Sequence, residues 1–269
     1  MRLGLGSTTC ALAALAYCGM AAATDYDCMI EPRQHVEIRS PVEAMIEAVK
    51  VTRGQYVKRG QVLATLVSGP ERAAYAAAES RAKMVGDIQV SQARLDIAEK
   101  KFKRAEELYK RNFVSANARD EAEAEFRLAS EELHRARENQ RLAELDAKRA
   151  AEVLALRTIR SPLSGVVAEV MLRPGEFGAT TIKDPIMRLA EIDPLHVEVV
   201  LPISEYGKVK RGQRATVVPE APIGGKYATR VKIVDRIVDA ASGTFGVRLD
   251  LPNPRHAIPA GVRCKVSFH

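Results

Sequence analysis

The 269 residues are 46% hydrophobic and 28% charged, enough apolar and polar material for two or three small folded domains. Aromatics make up only 5%, Trp is absent, and the net charge of +7 is spread along the chain rather than gathered into a basic block with interleaved aromatics. That distribution argues against nucleic-acid binding, and after the first two dozen residues no run is long and apolar enough to read as a membrane-spanning helix.

Residues 1–23 carry a basic Arg2, an apolar run from Ala11 to Leu15, and Ala21-Ala22-Ala23 before the polar Thr24-Asp25. This is the outline of a cleaved secretory signal peptide, its apolar stretch too short to span a bilayer, and it predicts an exported mature protein. Leu15-Ala16 precede Cys18 as they would at a lipoprotein site, but Tyr17 is larger than the small residue expected there, which weighs against lipidation. Removal of the leader leaves two cysteines, Cys28 and Cys264. In an oxidising compartment an even pair reads first as a disulfide, here joining the two ends of the chain; two isolated reduced thiols are the alternative.

An internal repeat follows. Ile38-Arg39-Ser40-Pro41 recurs as Ile159-Arg160-Ser161-Pro162, and the register holds without a gap from Val42 through Gly54 against Leu163 through Gly175. In each copy an alternating apolar run (Met45, Val49, Val51; Val166, Val170, Leu172) leads to a basic residue and a turn glycine, Arg53-Gly54 and Arg173-Pro174-Gly175. A second run comes next, Val62 to Leu66 in one copy and Ile186 to Leu189 in the other. Each half is a pair of short strands around a turn, too little to fold alone, so each needs the other.

Between the copies, from about Arg72 to Leu156, two narrow seams step alternately by three and four. The first runs Met84, Ile88, Ser91, Leu95, Ala98, Phe102, Ala105, Tyr109; the second runs Ala122, Phe126, Ala129, Leu133, Ala136, Gln140, Ala143, Ala147, Ala150, Leu154. Seams of roughly 3.5-residue period with charges elsewhere predict a coiled coil. The link Asn112-Phe113-Val114-Ser115-Ala116-Asn117 separates them, with Ser115 or Asn117 as cap of the second helix. The expectation is an antiparallel hairpin whose arms of about 40 residues would project on the order of 60 Å. Taken alone, such a segment would equally suit a plain dimerising coiled coil.

No constellation of reactive residues emerges. His35, His134, His196, His256 and His269 are scattered without metal-ligand spacing. Ser161 and Ser164 near Gly165 lack the context of a nucleophile elbow. Glu106-Glu107 and Glu131-Glu132 fall on helical faces rich in Lys and Arg, where pairing across one turn is the expected use. Catalysis, a cofactor and a resident metal are therefore not expected.

Two strand-turn-strand halves with a long helical hairpin inserted between them resemble the split biotinyl/lipoyl fold of the periplasmic adaptor family, the HlyD-like membrane fusion proteins of tripartite efflux pumps and type I secretion systems. Leu195-His196-Val197-Glu198-Val199-Val200-Leu201-Pro202-Ile203-Ser204-Glu205, followed by Val209-Lys210-Arg211-Gly212-Gln213, resembles the opening of that family's β-barrel domain; Ile258-Pro259-Ala260-Gly261-Val262 resembles the turn into its last strand. The resemblance implies an α+β chain: signal peptide 1–23, an N-terminal segment 24–35 pairing with the barrel, a first lipoyl half 36–69, the hairpin 70–156, a second lipoyl half 157–192, and the β-barrel 193–269. No clear membrane-proximal domain is expected. A carrier role is disfavoured, because Glu43-Ala44-Met45 is followed by Ile46 rather than lysine.

Arg104, Leu108 and Ser115 stand as R-x3-L-x6-S, similar to the tip motif with which family members engage TolC-like outer-membrane channels. Leu108 would be an apolar knob, and Arg104 and Ser115 donors to the channel's helical ends. The plain alternative is a solvated Arg, a Leu beside the seam and a capping Ser. The implied function is an adaptor in the periplasm of a Gram-negative bacterium, peripheral to the inner membrane, linking a transporter to such a channel. The expected transporter is of the resistance-nodulation-division (RND) class first, with ABC or major-facilitator partners next, and self-association would give a ring, a trimer or hexamer. An exported coiled-coil scaffold with no transporter is the competing reading.

Overall fold

The computed structural model describes residues 25–178 and 185–269; the expected signal peptide and Cys18 lie outside the described residues. In chain order the elements are strands β1 (Asp25–Ile38), β2 (Ala44–Val49), β3 (Tyr56–Val57) and β4 (Val62–Leu66), helices α1 (Gly69–Ala82), α2 (Gly86–Lys110) and α3 (Ala116–Ala155), then strands β5 (Thr158–Arg160), β6 (Gly165–Val170), β7 (Phe177–Gly178), β8 (Met187–Pro202), β9 (Arg214–Pro219), β10 (Tyr227–Val234), β11 (Thr244–Leu251) and β12 (Val262–Phe268). They build two compact units. One is residues 25–33 with Ile192–His269; the other is the described part of Gln34–Glu191.

In the Gln34–Glu191 unit the two copies of the repeat exchange strands. β2 pairs with β7 (Ala44↔Gly178, Met45↔Phe177), and at equivalent positions β6 pairs with β3 (Val57↔Gly165, Tyr56↔Val166). The turns repeat the exchange: the Gly54 N–H donates to the Val167 carbonyl at 2.8 Å, and the Gly175 N–H to the Ile46 carbonyl at 2.9 Å. Both glycines have φ near +90°, at 84° and 91°, where a side chain would be strained. Ser40 and Ser161 are equivalent too; each is buried and turns its hydroxyl to the carbonyl two residues on, that of Val42 or Leu163.

One expectation about these strands is corrected. Val51 is buried as the alternation requires, but Met45 is 40% exposed and Ile46 is buried instead; likewise Val167 is fully buried, not Val166. A bulge between Ile46 and Ala48, matched by one between Val167 and Glu169, inserts an extra residue and reverses the pleat upstream of it. The resulting core is filled by Ile46, Leu63, Leu66, Val167, Met187 and Leu189, each worth about 1.5–3 kcal/mol by burial.

The hairpin leaves this core between β4 and β5. α3 is one continuous helix of 40 residues, and its seam is buried or half-buried throughout, with Ala122, Ala129, Leu133 and Ala147 most enclosed. Phe102 stacks on Phe126 across the arms, ring centroids 5.8 Å apart. The outgoing arm departs from the expected uninterrupted helix. It breaks at residues 83–85, and Met84, placed in the seam by periodicity, is 67% exposed. Gly86 favours the interruption through its poor helix propensity, and the carbonyl of Ala82 freed there accepts the side-chain amide of Gln140, the polar member of the opposite seam.

In the other unit six strands follow the order β1-β12-β9-β10-β11-β8, with β1 paired to β12 over Asp25–Ile30. Strict alternation turns Leu195, Val197, Val199 and Leu201 inward, opposite Leu251, Leu249, Val247 and Phe245 of β11. Cys28 and Cys264 are directly opposed across β1 and β12, their Cα atoms 4.9 Å apart, and are joined as a disulfide. Buried Asn253 braces the loop before β12: its amide donates to the carbonyls of Ile192 (3.1 Å) and Ile258 (2.8 Å), and its oxygen accepts from the Ile258 N–H at 3.1 Å. Among the described residues no helix is long and apolar enough to cross a membrane.

Candidate docking site at the hairpin tip

The base of the hairpin is anchored. Arg157, just after α3, bonds Glu71 in the first turn of α1 at 2.5 Å, both side chains about four-fifths buried, and the Arg157 carbonyl accepts from Leu66 N–H of β4 at 2.9 Å. A charged pair at this depth is held in place because losing either partner strands the other. Further out the arms are tied by Arg94–Glu132 at 3.3 Å and Lys101–Glu125 at 2.6 Å. The hydrogen bond that Lys101 donates to the Glu125 carboxylate holds the ammonium pKa above the usual lysine range.

At the far end α2 stops through a backbone device. Asn112 takes φ +60°, its N–H donates to the Tyr109 carbonyl at 2.9 Å, and the Phe113 N–H reaches back to the Leu108 carbonyl at 2.9 Å. This left-handed cap satisfies the last carbonyls of a helix, and Asn is the side-chain residue that best tolerates it. α3 then begins under Ser115, whose hydroxyl oxygen accepts from Ala118 N–H at 3.3 Å. Between the two expected caps, the structure uses Ser115.

The three residues of the tip motif are placed as follows. Arg104 is exposed and lies one helical turn before Leu108; Leu108 is half-buried; Ser115 is exposed on the far side of the turn, its acceptor used by the cap and its hydroxyl proton available to donate. Neighbouring lysines have carboxylate partners, Lys103 with Glu99 at 2.6 Å and Lys110 with Glu106 at 3.0 Å. Arg104 and Arg111 have none among the described residues. Two features were missed by motif reading. Phe113 is 74% exposed at the very turn, and Tyr109 carries the Arg119 guanidinium 5.4 Å over its ring. A large aromatic inside a polar turn was the available signal for Phe113. The tip thus presents apolar surface flanked by free guanidiniums.

The residues weighed for other chemistry serve the fold. The Ser164 hydroxyl accepts from Arg59 N–H at 3.0 Å, and Ala44-Met45 lie in the paired stretch of β2. Among the described residues no group of three or more His, Cys, Asp or Glu is arranged to hold a metal.

Strand exchange between two lipoyl-like halves, a hairpin inserted between them and a following barrel define the membrane fusion proteins, and the chain belongs to this periplasmic adaptor family. The CzcB-like barrel-sandwich hybrid domain matches residues 34–190, and the CusB-like β-barrel domain matches residues 194–269. Similar proteins include the cation efflux system protein CzcB of Alcaligenes sp. (24% identical, covering 81% of this chain and 39% of that one). The multidrug export protein AcrE of Escherichia coli is 24% identical over 84% of this chain and 58% of its own. The chain spans roughly two-fifths to three-fifths of the length of such relatives. In fold it resembles MacA from Actinobacillus actinomycetemcomitans, with a TM-score of 0.68 at 21% identity over 91% of this chain and 77% of that one.

Proposed function

We propose that this protein is a periplasmic adaptor that links an inner-membrane transporter to a TolC-like outer-membrane channel, serving efflux or export across the envelope. The observation that carries the reading is the tip: a long hairpin, anchored at its base by Arg157–Glu71, ends in half-buried Leu108 and exposed Phe113 beside the unpartnered Arg104. Arg104, Leu108 and Ser115 form the docking set, with Leu108 as apolar anchor and the other two as donors to the ends of the channel's helices. Ring-forming self-association would bundle the hairpins, and the β-barrel would meet the transporter. An RND-type transporter is favoured, in keeping with the CusB-like barrel and with relatives named for cation efflux and multidrug export.

Site-specific photo-crosslinking from positions 108 and 203 in cells of the native host tests both contacts. An outer-membrane channel trapped from 108 and a transporter trapped from 203 are expected. Self-adducts alone at both positions would make the protein an exported coiled-coil scaffold.

A further inference from the structure

The outer face of the barrel carries a row of cations that the hairpin function does not use. Ala215 and Val217 of β9 and Thr229 and Val231 of β10 are buried, so Arg214, next before Ala215, and Arg230, between Thr229 and Val231, point outward, and the antiparallel register sets these two directly opposite one another. Like charges at directly opposed positions repel and weaken a strand pair. Among the described residues no carboxylate lies within ion-pairing distance of Arg211, Arg214 or Arg230. Asp250 of β11 faces Arg230 in the register, but it is occupied by Lys232 at 3.2 Å and His196 at 3.5 Å. The Arg230 guanidinium is held instead by the Gly212 carbonyl at 3.2 Å.

These side chains frame a concavity. A cavity of about 240 Å³ is lined by Arg214, Thr216, Ala228, Arg230 and His269, with the Thr216 hydroxyl and the His269 ring Nε2 2.9 Å apart. A second cavity, of about 450 Å³, adjoins it through Arg230 and adds Arg211, Lys232 and the Asp250 carboxylate that Lys232 pairs with. Small Ala228 leaves room between the guanidiniums, which can each offer two parallel N–H donors to a tetrahedral oxyanion.

We propose that this face binds a phosphate group, with Arg214 and Arg230 as the charged donors, Arg211 as a flanking cation and Thr216 and His269 as further hydrogen-bonding partners. A bound phosphate turns the repulsion between Arg214 and Arg230 into joint attraction, which accounts for two like charges standing opposite without a carboxylate. The same chemistry is offered by the headgroup of an anionic phospholipid and by free inorganic phosphate. The inference is independent of the hairpin reading.

The test uses the soluble mature protein, wild type and the double variant Arg214→Gln/Arg230→Gln, with Arg263→Gln of β12 as a charge-loss control. Vesicles of phosphatidylglycerol with phosphatidylethanolamine, vesicles of phosphatidylcholine alone, and inorganic phosphate are the probes. Both variants should keep the circular dichroism spectrum, and the double variant should melt no lower than wild type because the repulsion is gone. If the ligand is a headgroup, phosphatidylglycerol vesicles bind wild type and the control, the double variant binds roughly tenfold or more weakly, and millimolar phosphate does not compete. If it is free phosphate, phosphate raises the melting temperature of wild type and control but not of the double variant. Equal behaviour of the double variant and the control with every probe overturns the proposal.

Discussion

Leu108 bears on function through its position two residues before the end of α2, where its carbonyl closes the cap and its half-buried side chain borders the turn. Replacing an apolar anchor by a charge costs an interface about 2 kcal/mol or more. Leu108→Asp is therefore expected to lower efflux-dependent resistance or export at least tenfold while the melting temperature of the purified protein hardly moves; intact transport by a folded variant would remove the docking proposal. A cap at Ser115 or Asn117 was legible because capping residues stand in the polar link ahead of the second helix, and the choice of Ser115 was made by the structure. The left-handed cap at Asn112 has a local signature as well, an Asn in the turn that follows a helix. Asn253 was not legible at all. Its value lies in carbonyls of Ile192 and Ile258, and nothing in its immediate neighbours announces that Ile192, sixty-one positions earlier, will lie beside it.

For whole elements, the seam of α3 was legible over its entire length, because helix periodicity is local and repeats every turn. The break in the first arm was not, because apolar spacing continues through Met84 while the backbone does not. Gly86 has an ordinary φ and open space around the position a Cβ would take. Gly86→Ala should accordingly stabilise the start of α2 by about 0.5–1 kcal/mol, read as a raised denaturant midpoint. The contrasting glycine is Gly165 of β6, where an added Cβ would come within 2.3 Å of the Ala190 carbonyl oxygen, a backbone atom with nowhere to go. Gly165→Ala is expected to cost on the order of 3 kcal/mol. Its counterpart in the first copy is Ala44, which is buried without such a clash. The repeat is thus equivalent in pairing but not in the room behind each strand.

Across the molecule, the Cys28–Cys264 disulfide joins positions separated by 236 residues and staples the N-terminal strand to the last one. In the chain-entropy account, closing so long a loop contributes about 5.5 kcal/mol. Reduction should therefore lower protection from hydrogen exchange in β1 and β12 selectively, leaving the core around Leu63 and Met187 in the other unit unchanged; thiol titration of the protein lacking residues 1–23 should find no free cysteine without reductant. The sequence by itself determined that two incomplete halves must pair, that a coiled-coil hairpin separates them, and that a strand-rich segment follows. Those conclusions rest on local periodicity and on the inability of a lone strand pair to bury its apolar face. Only the tertiary structure decided that bulges put Ile46 and Val167 inside, that Gln140 meets the broken arm at Ala82, and that Arg214 faces Arg230. Strand register is a non-local quantity, accumulated through turns and bulges, and a shift of one residue exchanges every inward side chain for an outward one.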